Sequence, residues 1–350
     1  MTDQNMPRPK ITRRRTRRVT GTLCVVFIFL ITVNAMALAK RINAKKRIYA
    51  PYLFVHDAGA TPQGAASPNT TSPGNDIVGM SRQSGIKFFT LAFVVSSGGD
   101  CQAVWFPSLP LPQETSMAAQ IFQLRKQGGD VILSFGGEDG LELAQTCKDV
   151  PSLQAQYQAA IDKYKVHMLD FDIESSAILD PDSIDRRNQA LANLQASNPS
   201  LLISYTLGVL PTGLLTHGVD LLKNATLHGV VIGNVNIMTM DYSAGFDPNA
   251  MGQNAIEAAN ATIKQLQALN IDAPLGLTPM IGMNDVSLEV FTLDDAEKLT
   301  RFAKSNSRVR RVAMWSVERD QPCPAAQAVR PDCSGVPQAR FSFSRLFGKF

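Results

Sequence analysis

The chain is poor in the residues that bind metals and carry thiol chemistry. Its 350 residues include four histidines and five cysteines, with no C-x-x-C pair. The histidines are scattered, whereas the ligands of one metal site usually come in closely spaced pairs. The sequence therefore predicts neither a metal centre nor a cofactor. It also lacks a G-x-S-x-G elbow, which argues against a serine nucleophile.

Basic residues are concentrated at the N-terminus, and the rest of the chain is acidic. Residues 1–47 hold 12 lysines and arginines but a single acid, Asp3. The remainder has 22 basic and 29 acidic residues, a net charge of −7, although the whole chain has +4. An acidic body gives no electrostatic basis for binding nucleic acid, so we expect no such partner.

The basic N-terminus precedes the one long apolar run. RRRTRR (13–18) is followed by LCVVFIFLITV (23–33) and by NAMALA, which ends at Ala39. This order, with its A-x-A triplets, is typical of a secretory signal. We expect residues 1–47 to be a targeting segment and the body to be secreted or periplasmic. Residues 19–39 could also span a bilayer, so a membrane anchor with the body outside the cytoplasm is the alternative.

Cysteine usage agrees with export. Cys24 lies in the apolar run, which leaves an even set of four cysteines for an oxidising compartment. Three pairings are possible. We favour Cys101–Cys147 with Cys323–Cys333, because the second pair closes a short proline-rich loop. Four free thiols are the alternative.

Strand-like and helix-like patterns alternate through residues 48–350. The predicted strands are Ile48–Val55, Phe88–Val95, Val131–Phe135, Val166–Ile173, Leu201–Leu207, Val230–Met240, Pro274–Ile281 and Val309–Val317. Predicted helices include Ser116–Lys126, Leu153–Tyr164, Ser183–Ala196, Ala255–Leu269 and Leu293–Ala303. Eight alternating units predict an α/β fold, a single (β/α)8 TIM barrel. A doubly wound sheet is the alternative.

The fourth predicted strand carries an unusual row of acids. In VHMLDFDIES (166–175), Asp170, Asp172 and Glu174 occupy every second position. Side chains in a strand alternate between faces, so the three carboxylates share one face. In a barrel covered by helices that face points to the interior, where acids must share protons or find partners.

This row resembles a known signature. HMLDFDIE is similar to the D-x-x-D-x-D-x-E motif of glycoside hydrolase family 18, the chitinases. SFGG (134–137), MTMDY (238–242) and MWSVERD (314–320) resemble the motifs on the third, sixth and eighth strands of that family, in the same order. The resemblance runs from about Ile48 to the last cysteines, and is strongest to bacterial-type members without a large inserted α+β subdomain.

The resemblance implies a retaining glycosidase that cleaves β-1,4-linked N-acetylglucosamine polymers, with the acetamido oxygen of the substrate as nucleophile. Glu174 would be the general acid. Asp172 would raise its pKa and orient the acetamido group, while Asp170 would share a proton with Asp172. Tyr242 would bind the acetamido group, and Trp315 would form the floor of the site. The remaining predicted site residues are Ser134 and Gly136, which would support the acids, and Met240, Asp241 and Trp105.

Two departures from the family pattern leave questions open. His167 replaces the first aspartate of the signature and is out of phase with the row, so we expect a structural role. Asp241 precedes Tyr242 here, while many members have the reverse order, and either residue could reach the acetamido group. For Trp105 a core position is an equal alternative to stacking on sugar.

Two other functions fit the same barrel. A chitin-binding lectin usually lacks the terminal glutamate of the signature, and Glu174 is present, which favours an enzyme. An endo-β-N-acetylglucosaminidase acting on N-glycans would keep all three acids. We expect chitin or its oligosaccharides as the partner and a monomeric protein.

Overall fold

The computed structural model describes residues 47–55, 76–243, 245–323 and 328–350. The predicted targeting segment lies outside these residues, so its cleavage and any anchoring role stay predictions. No helix among the described residues is long and apolar enough to cross a membrane.

The strands alternate with helices along the chain, as the sequence pattern predicts. The strands are β1 (Ile48–Tyr49), β2 (Tyr52–Phe54), β3 (Phe88–Ser97), β4 (Asp100–Trp105), β5 (Leu109–Pro110), β6 (Asp130–Gly136), β7 (Met168–Asp172), β8 (Leu202–Leu210), β9 (Gly213–Leu214), β10 (Ile232–Met238), β11 (Leu275–Thr278), β12 (Gly282–Met283), β13 (Val290–Phe291) and β14 (Val309–Val312). Each of the eight predicted runs contains one of these strands, or, in the first run, two of them.

The main sheet is parallel and closes on itself. Its order is β3, β6, β7, β8, β10, β11, β14, each paired with the next. β1 pairs in parallel with β14, while β2, two residues later, pairs in parallel with β3. Backbone hydrogen bonds continue through the gap, from Ala50 N to Val312 O (2.9 Å) and from Thr90 N to Pro51 O (2.8 Å). Residues 48–54 therefore act as one strand that joins the two edges, which confirms the predicted barrel.

Helices follow the strands, as parallel pairing requires. They are α1 (Ile77–Ser84), α2 (Ser116–Lys126), α3 (Leu143–Thr146), α4 (Val150–Tyr164), α5 (Pro181–Ser197), α6 (Thr216–Leu227), α7 (Met251–Ala268), α8 (Leu293–Ser305) and α9 (Ser342–Phe347). Several begin at a capping side chain. Thr292 and Asp295 form a capping box at the start of α8, and the Asp149 side chain accepts from Ser152 N at the start of α4.

Additions to the barrel are small. β4 and β5 extend β3 in an antiparallel manner, β9 folds back on β8, and β12 pairs with β13. Within the described ranges no larger sheet interrupts the barrel, in agreement with the prediction that a large inserted subdomain is missing.

Both predicted disulfide bonds are present. Cys101 is bonded to Cys147, and Cys323 is bonded to Cys333. The first bond ties β4 to the end of α3, and the second closes the loop that follows the last barrel strand. The favoured pairing is therefore confirmed, and the alternative of four free thiols is wrong.

Candidate active site

The acid row begins on β7, a strand with one face toward the barrel interior and the other toward the helices. Asp170 and Asp172 point inward, while Phe171 points outward and packs between the rings of Phe135 (5.3 Å between centroids) and Tyr157 (5.2 Å). The alternation seen in the sequence thus separates an acidic inner face from an aromatic outer face. Glu174 follows two residues beyond the end of the strand and is partly exposed.

Asp170, the deepest acid, is fully buried and has several hydrogen-bond partners. Its Oδ2 atom accepts hydrogen bonds from Tyr52 Oη and Ser134 Oγ, both at 2.9 Å. Thr206 Oγ1 also lies 2.9 Å from both carboxylate oxygens. Arg311 Nη1 is 3.1 Å from Oδ1 and forms a buried ion pair. One cation and three hydroxyl groups therefore surround the carboxyl group of Asp170.

Asp172 and Glu174 form a hydrogen-bonded pair above Asp170. Burial raises the pKa of Asp172 well above its ordinary value, and the nearby charges of Glu174 and Asp170 raise it further. Burial also raises the pKa of Glu174 to about 7, although the hydrogen bond from Asp172 opposes this. Asp172 therefore keeps its proton and donates it to Glu174, whose own proton is exchangeable near neutral pH.

The sharing of a proton between Asp170 and Asp172 stays a prediction. Arg311 and the three hydroxyl groups already satisfy the oxygens of Asp170. The partner of Asp172 is Glu174, and its Oδ1 atom is buried with no hydrogen-bond partner among the described residues. The site therefore holds one free acceptor beside the acid pair.

A cleft of about 300 Å³ opens over the acid pair at the C-terminal ends of the strands, where TIM barrels carry their active sites. Its lining combines carboxylates with apolar and aromatic side chains. The lining residues are Tyr52, Phe93, Glu138, Asp172, Glu174, Thr206, Gly208, Val209, Leu210, Leu215, Met238, Met240, Asp241, Thr278, Met280, Asp285 and Trp315.

Three aromatic rings form one side of the cleft. The ring of Trp315 stacks on Phe93 with 5.6 Å between centroids, and Tyr52 meets Trp315 edge-on at 5.9 Å. Trp315 remains partly exposed to the cleft. A flat, supported indole beside the acids is suited to stacking against a sugar ring, in agreement with the predicted floor.

Ser134 and Gly136 support the acids from the neighbouring strand β6. Ser134 is buried and donates to Asp170. Gly136 has φ 97°, and a Cβ atom there would lie 2.0 Å from the carbonyl oxygen of Asp172. The backbone can approach β7 so closely only without a side chain. Neither residue lines the cleft, so their contribution is to hold the row.

The sixth-strand motif places Asp241, not Tyr242, in the cleft. Asp241 and Met240 line the cavity, and Val286 N donates to Asp241 Oδ1 at 2.9 Å. Tyr242 is fully buried, packs against Phe246 and is not part of the cleft lining. The prediction that Tyr242 contacts the acetamido group therefore needs correction, because the chain turns this side chain away from the site.

Trp105 is a core residue, and its predicted contact with sugar is wrong. It is fully buried, and its indole nitrogen donates to Tyr164 Oη on α4 at 2.8 Å. β4 runs on the outer side of the barrel, where it faces α4 and not the cleft. The core alternative given for this tryptophan is confirmed.

His167 lies at the opposite end of the barrel from the cleft. It precedes β7, its carbonyl oxygen accepts from Leu202 N, and its side chain is exposed beside a second cavity. This position at the N-terminal end of the strands agrees with a structural role.

Several cleft residues were not predicted from the sequence. They include Tyr52 and Phe93, which build the aromatic side, and Glu138 and Asp285, which are exposed. Arg311, which lies outside the cleft and pairs with Asp170, was not predicted either. A signal existed for Arg311. It is a charged residue inside a strand predicted to be buried, which requires a carboxylate partner inside the barrel.

Comparisons with known proteins agree with this geometry, although no family model matches the chain. The chain is 34% identical over 327 residues to a probable bifunctional chitinase/lysozyme of Escherichia coli K12. It is 35% identical over 295 residues to endochitinase 11 of Metarhizium anisopliae. These alignments include 87% and 79% of this chain but 34% and 53% of the relatives. The chain thus spans between a third and about half of their length.

Solved structures cover the barrel more completely. The catalytic domain of a hyperthermophilic chitinase from Pyrococcus furiosus is 32% identical, with a TM-score of 0.73 over 87% of this chain and 94% of that one. A family 18 chitinase from Pseudoalteromonas aurantia shares the fold at 15% identity, with a TM-score of 0.53.

Three of the four motifs line one cleft and the fourth supports its acids, and the identity to a chitinase catalytic domain extends over nearly all of that domain. The chain belongs to glycoside hydrolase family 18.

Proposed function

We propose that this protein is a chitinase that hydrolyses β-1,4-linked N-acetylglucosamine polymers with retention of configuration. The observation that carries the proposal is the hydrogen-bonded pair of Asp172 and Glu174 at the base of a cleft with an aromatic wall. A carboxylic acid with a pKa of about 7 can protonate a leaving group at neutral pH and recover its proton afterwards.

Glu174 acts first as the acid. It gives its proton to the glycosidic oxygen as the bond from that oxygen to the anomeric carbon breaks. The acetamido oxygen of the same sugar attacks that carbon and forms a cyclic intermediate, so the enzyme needs no nucleophile of its own. The Glu174 carboxylate then takes a proton from the water that opens the intermediate. Two inversions at one carbon give overall retention.

Asp172 and Asp241 face the space where the acetamido group would bind. Asp172 lines the cleft, and its carboxyl group is an acceptor for the acetamido N–H, whose positive charge grows as the oxygen attacks. Asp241 accepts a hydrogen bond from the backbone of Val286 and lines the cleft. Trp315 supports the sugar from below. We assign the acetamido contact to Asp172 and Asp241 because Tyr242 is buried away from the cleft.

A lectin and a glycosidase with another substrate are the two alternatives to a chitinase. A lectin would bind the same oligosaccharide without cleaving it, and the position of Glu174 beside Asp172 argues for catalysis. An N-glycan endoglycosidase, or a hydrolase of peptidoglycan, would use the same acids with a different shape of cleft. The curated relative named chitinase/lysozyme makes the peptidoglycan comparison worth including.

We also propose that the protein is monomeric and acts outside the cytoplasm. Support for the location outside the cytoplasm comes from the secretory pattern of residues 1–47 and from the two disulfide bonds, which are typical of oxidising compartments. Mass determination of the purified protein would distinguish a cleaved signal, which shortens the chain, from a retained anchor, which does not.

The experiment is product identification by mass spectrometry. The full chain is incubated separately with a chitin hexasaccharide, an N-glycosylated protein and peptidoglycan. We expect shorter N-acetylglucosamine oligomers from the first substrate and no release from the other two. Retained binding of the hexasaccharide with no products would establish the lectin. Release of glycans from the protein, or of muropeptides, would replace chitin with that substrate.

A further inference from the structure

Arg311 occupies the inner face of β14, across the barrel from the acid row. Its side chain is 3% exposed, which is rare for an arginine and costly unless its charge is compensated. The mechanism described above makes no use of this residue. Its partners within the barrel explain why a guanidinium is placed there.

The guanidinium is held in one position by several groups. Nη1 lies 3.1 Å from Asp170 Oδ1 and 3.3 Å from Ser204 Oγ, while Nη2 donates to Thr90 Oγ1 at 2.7 Å. The guanidinium carbon is also 5.6 Å from the centre of the Tyr52 ring. Contacts from four different strands fix the cation, so it cannot leave Asp170 without losing them.

The contact between Arg311 and Asp170 bears on how the three acids of the row hydrogen bond to one another. Two buried carboxyl groups at alternate positions of a strand are close enough that one of them tends to hold a proton for both. Asp172 has two such neighbours, Asp170 below and Glu174 above. Arg311 forms an ion pair with Asp170, and Asp172 is hydrogen bonded to Glu174.

We propose that Arg311 is a positioning residue of the acid row, which holds the side chain of Asp170 and thereby leaves Asp172 free to hydrogen bond Glu174. This inference rests on the proposed function, because it assigns a task to Arg311 within that reaction. Arg311 does not line the substrate cleft, so it acts through Asp170 and Asp172 and not on the sugar.

The groups around the row give the direction of the effect. Glu174 is influenced by Asp172, by Glu138 and Asp139 after β6, and by Asp241 after β10, all of them acids. Asp170 and Asp172 face Tyr52 and Arg311, and Arg311 is the single cation among these groups. Loss of Arg311 adds one net negative charge. It also leaves Asp170 without its ion-pair partner and able to accept a hydrogen bond from Asp172, so Glu174 loses a donated hydrogen bond.

Both consequences raise the pH at which Glu174 gives up its proton. In Arg311→Met, the alkaline limb of the pH profile of kcat/KM on a chitin oligosaccharide should move up by about one pH unit. We expect kcat at the optimum to fall on the order of tenfold, because Asp172 turns toward Asp170. Arg311→Lys keeps the charge and should return the limb toward that of the wild type.

Arg310→Met is the matched control. This neighbour lies outside the substrate cleft, beside the cavity at the N-terminal end of the barrel, and its removal should leave the limb in place. If Arg311→Met does not fold, Thr90→Val carries the same test, since it removes the acceptor of Nη2 and should give a smaller shift in the same direction.

The outcomes separate the two proposals. A wild-type protein that cleaves chitin, with a limb that stays in place in Arg311→Met or, if that variant is unfolded, in Thr90→Val, would overturn the role of Arg311 and leave the chitinase intact. A wild-type protein with no chitinolytic activity would contradict the proposed function itself. A purely structural role for Arg311 would lower the thermal midpoint and the yield without moving the limb.

Discussion

The two ends of the barrel each hold a cavity, and the larger one is not the candidate active site. The cavity at the N-terminal ends of the strands has a volume of about 380 Å³, against about 300 Å³ for the cleft at the C-terminal ends. The lining of the larger cavity contains one carboxylate among the described residues, Asp130, which pairs with Arg125 at 2.8 Å. The smaller one contains five. Chemistry, not volume, distinguishes the functional end, as TIM-barrel architecture leads one to expect.

The same contrast continues within the acid row. Asp170 at its base has an arginine and three hydroxyl partners, while Asp172 near the rim has a buried oxygen without a partner among the described residues. A buried charge with hydrogen-bond partners contributes to a unique structure. A buried polar atom without a partner destabilises the free protein, and ligand binding can relieve this cost. We infer that substitution of Asp170 should mainly affect folding and that substitutions at the rim should mainly affect catalysis.

The largest effect is expected at the rim. Glu174→Gln keeps the shape of the side chain but cannot transfer a proton, so kcat on a chitin oligosaccharide should fall about a thousandfold. Binding of the same oligosaccharide, measured by calorimetry, should stay within a few-fold of the wild type. More than a few per cent of the wild-type rate would show that another group is the acid.

At the base, Asp170→Ala should lower stability. The change leaves Arg311 buried without its carboxylate, and such losses cost about 3–5 kcal/mol. Asp272→Ala is the control, because Asp272 pairs with Arg308 at the surface and is 93% exposed, where a pair contributes less than about 1 kcal/mol. Urea unfolding of both variants measures the difference. Equal losses would mean that burial does not set the importance of the Asp170 pair.

Glu174→Gln should also make the protein more stable at alkaline pH. The pKa of Glu174 is about 7 in the folded protein, above its ordinary value of 4.5. Between these values the folded state binds more protons than the unfolded chain, so wild-type stability falls as pH rises through that window. The variant avoids this loss and should gain up to about 3 kcal/mol between pH 4 and pH 8, relative to the wild type.

Urea unfolding of both proteins at pH 4 and pH 8 gives this difference. A gap between variant and wild type that does not change with pH would contradict the raised pKa at the rim.

The two tryptophans give the smallest contrast. Trp315→Ala should raise KM for a chitin oligosaccharide about tenfold, equivalent to about 1.4 kcal/mol, through loss of the stacked indole. Trp105→Phe, in the core beside Tyr164, should leave KM unchanged and lower the thermal midpoint. Steady-state kinetics and thermal unfolding of both variants provide the test. A larger change of KM in Trp105→Phe would contradict the assignment of the two positions.

The barrel and the acid row could be predicted because they depend on local patterns. Helix α2 matches its predicted bounds, Ser116–Lys126, and α4 and α5 begin within three residues of theirs. The positions of Asp170, Asp172 and Glu174 follow from strand alternation alone. The favoured disulfide pairing was also correct, since an even set of cysteines left few choices.

The remainder depends on how distant strands meet across the barrel. Nothing near Asp170 in the sequence indicates that Asp170 forms an ion pair with Arg311, 141 residues away. Asp241 adopts φ 51° at a local turn of the backbone, and of Asp241 and Tyr242 it is Asp241 that lines the cleft. A sequence motif specifies the residue types, whereas the direction in which each side chain points depends on the backbone conformation.

The central claim is that the acetamido oxygen of the substrate attacks the anomeric carbon while Glu174 supplies the proton. Proton NMR of the product formed in the first minutes of hydrolysis of a chitin oligosaccharide tests it most directly, before mutarotation mixes the anomers. Substrate-assisted attack predicts that the new reducing end appears first as the β-anomer. An initial α-anomer would mean that water attacks directly with a separate base, and it would contradict the roles given to Asp172 and Glu174.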